Sequence, residues 1–180
     1  MPAKESENAH MTQPTATEIA AAITQIFVEL PTQADLGHRD RVWTKEILRQ
    51  IGDLGLAHDW EVCAGGFPGR FESGWLYDLA WYRNEPKGDS NGNLAEVYLV
   101  LECEWGNLRS IKFDFEKLLL AKARLKVMIF QAHNRNAATL LAELKKCIST
   151  FHTRDASEIY ILASFNNSTH QFGVHQITGN

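Results

Sequence analysis

The sequence predicts an α/β fold, with a mixed β-sheet and helices on both of its faces. Three observations carry that expectation. Apolar residues recur at helical spacing up to about residue 54 and at strand spacing from about residue 60. Helical stretches return between the third, fourth and fifth strands, where crossovers favour parallel pairing. Val127-Met128-Ile129-Phe130 is a continuous apolar run, as in strands buried on both faces.

Each element follows from local pattern. Residues 1–15 read as a flexible tail and residues 16–180 as one domain. Thr15 to Leu30 is a helix with Ile19, Ile23, Ile26, Phe27 and Leu30 on one side, Thr15 or Thr17 as its cap, and Pro31 as its end. A second helix runs from about Arg39 to Leu54 on a Trp43, Ile47, Ile51, Leu54 stripe, and Gly52 and Gly55 mark its close. Trp60 to Ala64 is a first strand, followed by the turn Gly65-Gly66-Phe67-Pro68-Gly69. Gly74 to Tyr82 is a second strand, Asn84 to Asn93 a polar hairpin loop, and Ala95 to Glu104 a third strand. Arg109-Ser110 precede a helix from about Ile111 to Ala123. Leu125 to Gln131 is the fourth strand. Asn136 to Phe151 is a helix with Leu140, Leu141, Leu144, Ile148 and Phe151 inward. Glu158 to Phe165 and Gly173 to Thr178 are the fifth and sixth strands.

Bulk numbers narrow the classes. The net charge of −4 and pI of about 6.0 weigh mildly against nucleic-acid binding. Basic residues are nevertheless dense from Arg109 to Lys126 and at Lys145-Lys146. No apolar run approaches the roughly 18 residues of a membrane span. The polar start, Met1 to Asn8, lacks an apolar signal region, so a cytoplasmic protein is expected. Three scattered cysteines point to free thiols, not to a disulfide framework or a zinc site. Neither HExxH nor a phosphate-cradling glycine motif occurs, and His133-Asn134-Arg135-Asn136 matches an HNH site in letters only.

The chemistry-bearing residues are acids in strand-like runs. Asp78 sits between Tyr77 and Leu79. Glu102 and Glu104 end an apolar run two residues apart and so share a strand face, to which Val100 and Tyr98 also belong. Leu99, Leu101 and Cys103 form the opposite, apolar face. A buried carboxylate is costly unless paired, hydrogen-bonded or metal-bound. Three on adjacent strands make most sense around a hard divalent cation, which favours carboxylate and water oxygens. The plainer alternatives are a lysine partner for Asp78 and a solvated edge for the two glutamates. Trp75, Trp81 and Trp105 are candidates for base stacking or for core.

Asp78, followed by Glu102-Cys103-Glu104 at the end of the next strand and then a helix and an apolar strand, resembles the PD-(D/E)XK nuclease superfamily over roughly residues 38–165. The resemblance implies a restriction-endonuclease-like three-layer fold with an αβββαβ core, and hydrolysis of DNA phosphodiester bonds with Mg²⁺ or Mn²⁺. By carry-over Asp78 and Glu102 are metal ligands, and the Cys103 carbonyl between the two glutamates adds a third. Glu104 stands where the superfamily has lysine; Glu104-Trp105-Gly106-Asn107 is similar to a minority, restriction-type variant. Glu104 then holds a second ion or accepts the attacking water's proton. Lys117 is the first candidate for a lysine moved to a neighbouring element and Lys122 the second, with Lys117 alternatively a solvated partner of Asp114. Glu46 matches an occasional helix acid that orients water. The proline of the family name is absent, since Tyr77 precedes Asp78.

The missing strand lysine leaves a second expectation open: a catalytically inactive domain of the same fold that binds nucleic acid or a partner protein, or serves as an assembly module. Partners expected are DNA, with RNA as the other nucleic acid, and no membrane. A chain this short has little room for sequence recognition, which favours a homodimer or a partner protein.

Overall fold

The computed structural model describes residues 14–33, 40–89, 91–131 and 137–179. Most of the tail expected over residues 1–15, and the His133 to Asn136 stretch, lie outside the described residues. The elements are α1 (Ala16–Gln33), α2 (Asp40–Ala57), β1 (Glu61–Ala64), β2 (Leu79–Glu85), β3 (Asn93–Glu104), α3 (Leu108–Leu120), β4 (Leu125–Gln131), α4 (Ala137–Thr150), β5 (Ile159–Asn166) and β6 (Gln171–Thr178). Six strands form one sheet in chain order. β1, β2 and β3 are antiparallel neighbours, β3, β4 and β5 run parallel, and β6 returns antiparallel to β5.

The expected mixed sheet with helices on both faces is present. Its layers follow from crossover handedness. The chain steps from β3 to β4 to β5 in one direction, so two right-handed crossovers put α3 and α4 on the same face. Their core contains Ile111, Phe115, Leu118, Leu140, Leu144 and Met128. On the other face α1 and α2 bury Ile19, Ile23, Phe27, Ile47 and Ile51 against Leu99, Leu101 and Val127. β4, between two parallel neighbours and two helical layers, is buried at every position. No helix among the described residues is long and apolar enough to cross a membrane.

Several local expectations change. Thr15, not Thr17, caps α1: its hydroxyl accepts from the Glu18 N–H at 3.2 Å, and Glu18 Oε2 accepts from the Thr15 N–H at 2.7 Å. Pro31 falls inside the last turn of α1, which continues to Gln33. Gly52 and Gly55 lie within α2 and do not end it. They are places of close approach. A Cβ on Gly52 would overlap the Phe71 ring, and one on Gly55 would stand 2.6 Å from Trp81 Nε1.

β2 starts at Leu79, later than the pattern predicts, so Asp78 precedes the strand and is not in its middle. The cause is long-range. After the Gly65–Gly69 turn the chain pairs beside β1, with Ala64 N–H donating to Glu72 O and Glu72 N–H to Val62 O, each at 3.0 Å. Residues 73–78 must then cross from that edge of β1 to β2. Trp75 and Tyr77 ride on the α3 side of the sheet, Trp75 against Tyr82 at 5.0 Å between ring centroids. Tyr98 is a further correction. The β2/β3 register slips between Trp81 and Tyr82, leaving Tyr98 unpaired, and its ring stacks on Trp60 at 4.5 Å in the α1/α2 core, away from the acids' face.

Candidate functional site

The site forms where the β2/β3 ladder ends. The ladder stops at Leu79 opposite Leu101, so the next inward-facing N–H of β3 on that edge, at Cys103, has no strand partner. Asp78 supplies one: its Oδ2 accepts from Cys103 N–H at 2.8 Å. In an antiparallel strand a residue's N–H and C=O point to the same edge. The Cys103 carbonyl therefore faces the Asp78 side as well. The Cys103 side chain packs toward the α1/α2 core. Burial, with Asp78 and Glu102 nearby, holds its thiol protonated well above the ordinary range, so it is no nucleophile.

Glu102 and Glu104 share the α3 face of β3, as strand alternation requires. Glu102 is buried, and Lys117 of α3 reaches it with Nζ 2.6 Å from Oε1. The same ammonium lies 2.8 Å from Asp114 Oδ1. The phase of α3 makes this possible. Asn107 caps the helix by accepting from the Arg109 and Ser110 N–H groups, which starts it earlier than the predicted Ile111. Burial of Ile111, Phe115 and Leu118 against the sheet leaves Asp114 and Lys117 beside Glu102. Glu104 Oε1 accepts from Gly106 N–H at 2.6 Å. A Cβ on Gly106 would stand 2.7 Å from both Glu104 Oε1 and Ser110 Oγ, so a side chain there would displace the two groups.

Four carboxylates therefore lie close together, and the Lys117 ammonium contacts two of them, Glu102 and Asp114. Burial pushes the Glu102 carboxyl up to about 7; Lys117 opposes that rise, and Asp78 and Asp114 add to it. Asp78 is raised by burial, with the Cys103 N–H pulling the other way. Glu104 is raised by burial and by its hydrogen bond with Asp114. Burial pulls Lys117 down, but Asp114 and Glu102 outweigh it and hold the ammonium above its usual range. Glu102 Oε1 is fully buried, and Lys117 Nζ at 2.6 Å is the cation that compensates its charge.

The structure thus brings Asp78, Glu102, Glu104 and Lys117 together. It adds Asp114, which the sequence alone offers only as a surface partner of Lys117, and Tyr77, whose hydroxyl feels both Glu102 and Lys117. The helical spacing from Asp114 to Lys117 was the available signal. Glu46 takes no part in this group: Arg49 and Gln50 on α2 hold its carboxylate. Lys122 lies exposed beyond the end of α3.

Glu102 makes stability depend on pH with a definite sign. Its folded pKa is above the unfolded one, so its contribution is full below about 4.5 and is lost as pH rises through about 7. Glu102→Gln removes that loss. The variant is expected to gain about 3 kcal/mol over the parent between pH 4 and pH 8, from the rise of 4.5 to about 7 at about 1.4 kcal/mol per pKa unit. Urea unfolding of both chains across that range checks it; parallel curves would show that Glu102 is not strained by its charge.

Among the described residues no three histidine, cysteine, aspartate or glutamate side chains form a group able to hold a metal ion. Comparison with family models, curated proteins and solved structures finds no match to this chain.

Proposed function

We propose that this chain is a metal-dependent nuclease that hydrolyses DNA phosphodiester bonds on a restriction-endonuclease-like fold of the PD-(D/E)XK type. One observation carries the proposal. The lysine missing from the strand is replaced from α3, with Lys117 Nζ on Glu102 beside the Asp78 that ends the β2 ladder. The element order, helix, three strands, helix, strand, is compatible with it.

The donor set fits a hard cation. Mg²⁺ is ordinarily held by one or two carboxylates with several waters, not by a full protein cage. Asp78 and Glu102, with the Cys103 carbonyl on the same edge, meet that need without a third side chain. Burial, with Asp78 and Asp114 adding to it, gives Glu102 a proton affinity that a divalent ion would relieve. When bound, such an ion supplies Lewis-acid activation of the attacking water and of a phosphoryl oxygen. The chain's own groups do the rest. Glu104 accepts the attacking water's proton, and burial and Asp114 make it a better acceptor. Lys117 stabilises charge developing on the phosphate, and Asp114 holds it in place.

A second proposal keeps the fold without the cutting: a domain that binds nucleic acid or a protein. Glu104, standing where the superfamily has its lysine, favours it. Two measurements separate them. With Mg²⁺ or Mn²⁺ the chain is expected to cleave DNA, chelation to stop it, and Lys117→Met to slow it about 100-fold while calorimetry still registers metal binding. No cleavage, and no heat of metal binding at millimolar concentration, would leave the binding module.

A further inference from the structure

We propose that the surface beside the acid cluster takes an unpaired nucleotide whose base stacks on Phe113, so that the substrate is a single-stranded or frayed nucleic acid. The location rests on the nuclease proposal. The stacking rests on what surrounds the cluster.

The two faces of the sheet are covered unequally. On one face α2 packs on β1 and β2, and α1 on β5 and β6. On the other, α3 packs on β3 and β4 and α4 on β5. Over β1 and β2 that second face carries, among the described residues, only the crossing segment, residues 73–78. The acids lie between that segment and α3. Large apolar side chains are exposed on each side of them: Leu76 at 79% and Trp75 at 51% on the crossing segment, and Phe113 at 65% on α3.

Phe113 is tied to the acid cluster, since Lys117 Nζ lies 6.0 Å from its ring centroid. Arg109 and Lys112 share its side of α3, around the same surface depression. Arg109 has no ion-pair partner among the described residues, and Lys112 has only a loose one, Glu116 at 3.7 Å. Cations flanking an exposed aromatic ring suit a strand whose phosphates and bases are both accessible. Inside a duplex the base faces are already stacked on one another. An aromatic ring on a helix surface finds a base face only where a nucleotide is unpaired.

Equilibrium binding of the full chain in chelator, where no metal-dependent cleavage intervenes, tests this. The probes are labelled oligothymidylate, oligouridylate and a blunt duplex of equal length. One of the single strands is expected to bind more tightly than the duplex, and which one does so separates DNA from RNA. Phe113→Ala is expected to weaken that binding roughly ten- to hundredfold, and Phe113→Trp to restore it. Equal binding by Phe113→Ala, a preference for the duplex, or no binding to any probe would overturn the proposal. Phe113-dependent binding without cleavage in any metal would refute the nuclease and leave this inference standing. Duplex cleavage without Phe113-dependent binding would do the reverse.

Discussion

Replacing Asp78 by alanine, or Glu102 by glutamine, is expected to lower Mg²⁺-dependent DNA cleavage about 1,000-fold while the protein stays folded. That is the scale on which loss of one preorganised electrostatic group lowers turnover. The two substitutions act differently on stability, and the difference makes the experiment informative. Asp78→Ala removes the acceptor for Cys103 N–H at the point where the β2/β3 ladder ends. An orphaned donor there costs about 1–3 kcal/mol, which a domain of this size survives. Glu102→Gln keeps the shape, removes a charge that burial disfavours, and leaves Lys117 its contact with Asp114. One variant is thus somewhat less stable and the other as stable or more so, yet both are expected to be inactive. Cleavage of single-stranded DNA and urea unfolding, run on the same preparations, separate lost chemistry from lost fold. Full cleavage by the double variant would remove these acids from the mechanism.

Much of this arrangement is written in local pattern. The order of helices and strands, the run Leu125–Gln131, and the shared face of Glu102 and Glu104 each follow from the spacing of apolar and acidic residues within one element. What escapes is set by contacts between distant segments. Gly74 to Tyr82 alternates like a strand, but its first half is used to cross from the edge of β1, because Glu72 pairs there. Gly52 and Gly55 read as a helix end because glycine usually marks one. Here Phe71 and Trp81 press against the helix at those positions, and no window around α2 contains either ring. Strict alternation places Tyr98 with the acids, and a bulge breaks that alternation. Asp114 joins the cluster because α3 buries Ile111, Phe115 and Leu118 against the sheet beside β3, and Glu46 faces its own helix neighbours. Carboxylate positions on strands are local facts; which cation answers them is not.

The same limit hides the feature with the largest expected effect on stability. Lys126 sits in the most apolar strand and is fully buried. Its Nζ lies 2.8 Å from Glu158 Oε1 and 5.2 Å from the Tyr160 ring centroid, and it donates to the Leu119 carbonyl at 3.3 Å. Burial lowers its pKa, and Glu158 works against that. Glu158 also accepts from the Tyr160 hydroxyl. Glu158→Ala strips the ammonium of its closest counter-charge and is expected to cost about 3–5 kcal/mol, the range for breaking a buried pair from one side. Lys126→Met is expected to cost less, about 1–3 kcal/mol, because Glu158 lies nearer the surface and keeps its tyrosine donor. Combining Lys126→Met with Glu158→Gln leaves no uncompensated charge and is expected to recover most of the loss, so a double-mutant cycle should show strong coupling. Leu119 is two residues beyond Lys117 on α3, so the pair also fixes the end of the helix that delivers the site's lysine. Cleavage by Lys126→Met should therefore fall further than its stability loss alone explains, with Glu102 and Asp114 intact but Lys117 less well held. Undiminished turnover by a folded Lys126→Met chain would show that α3 is positioned by its apolar face without help from this ion pair.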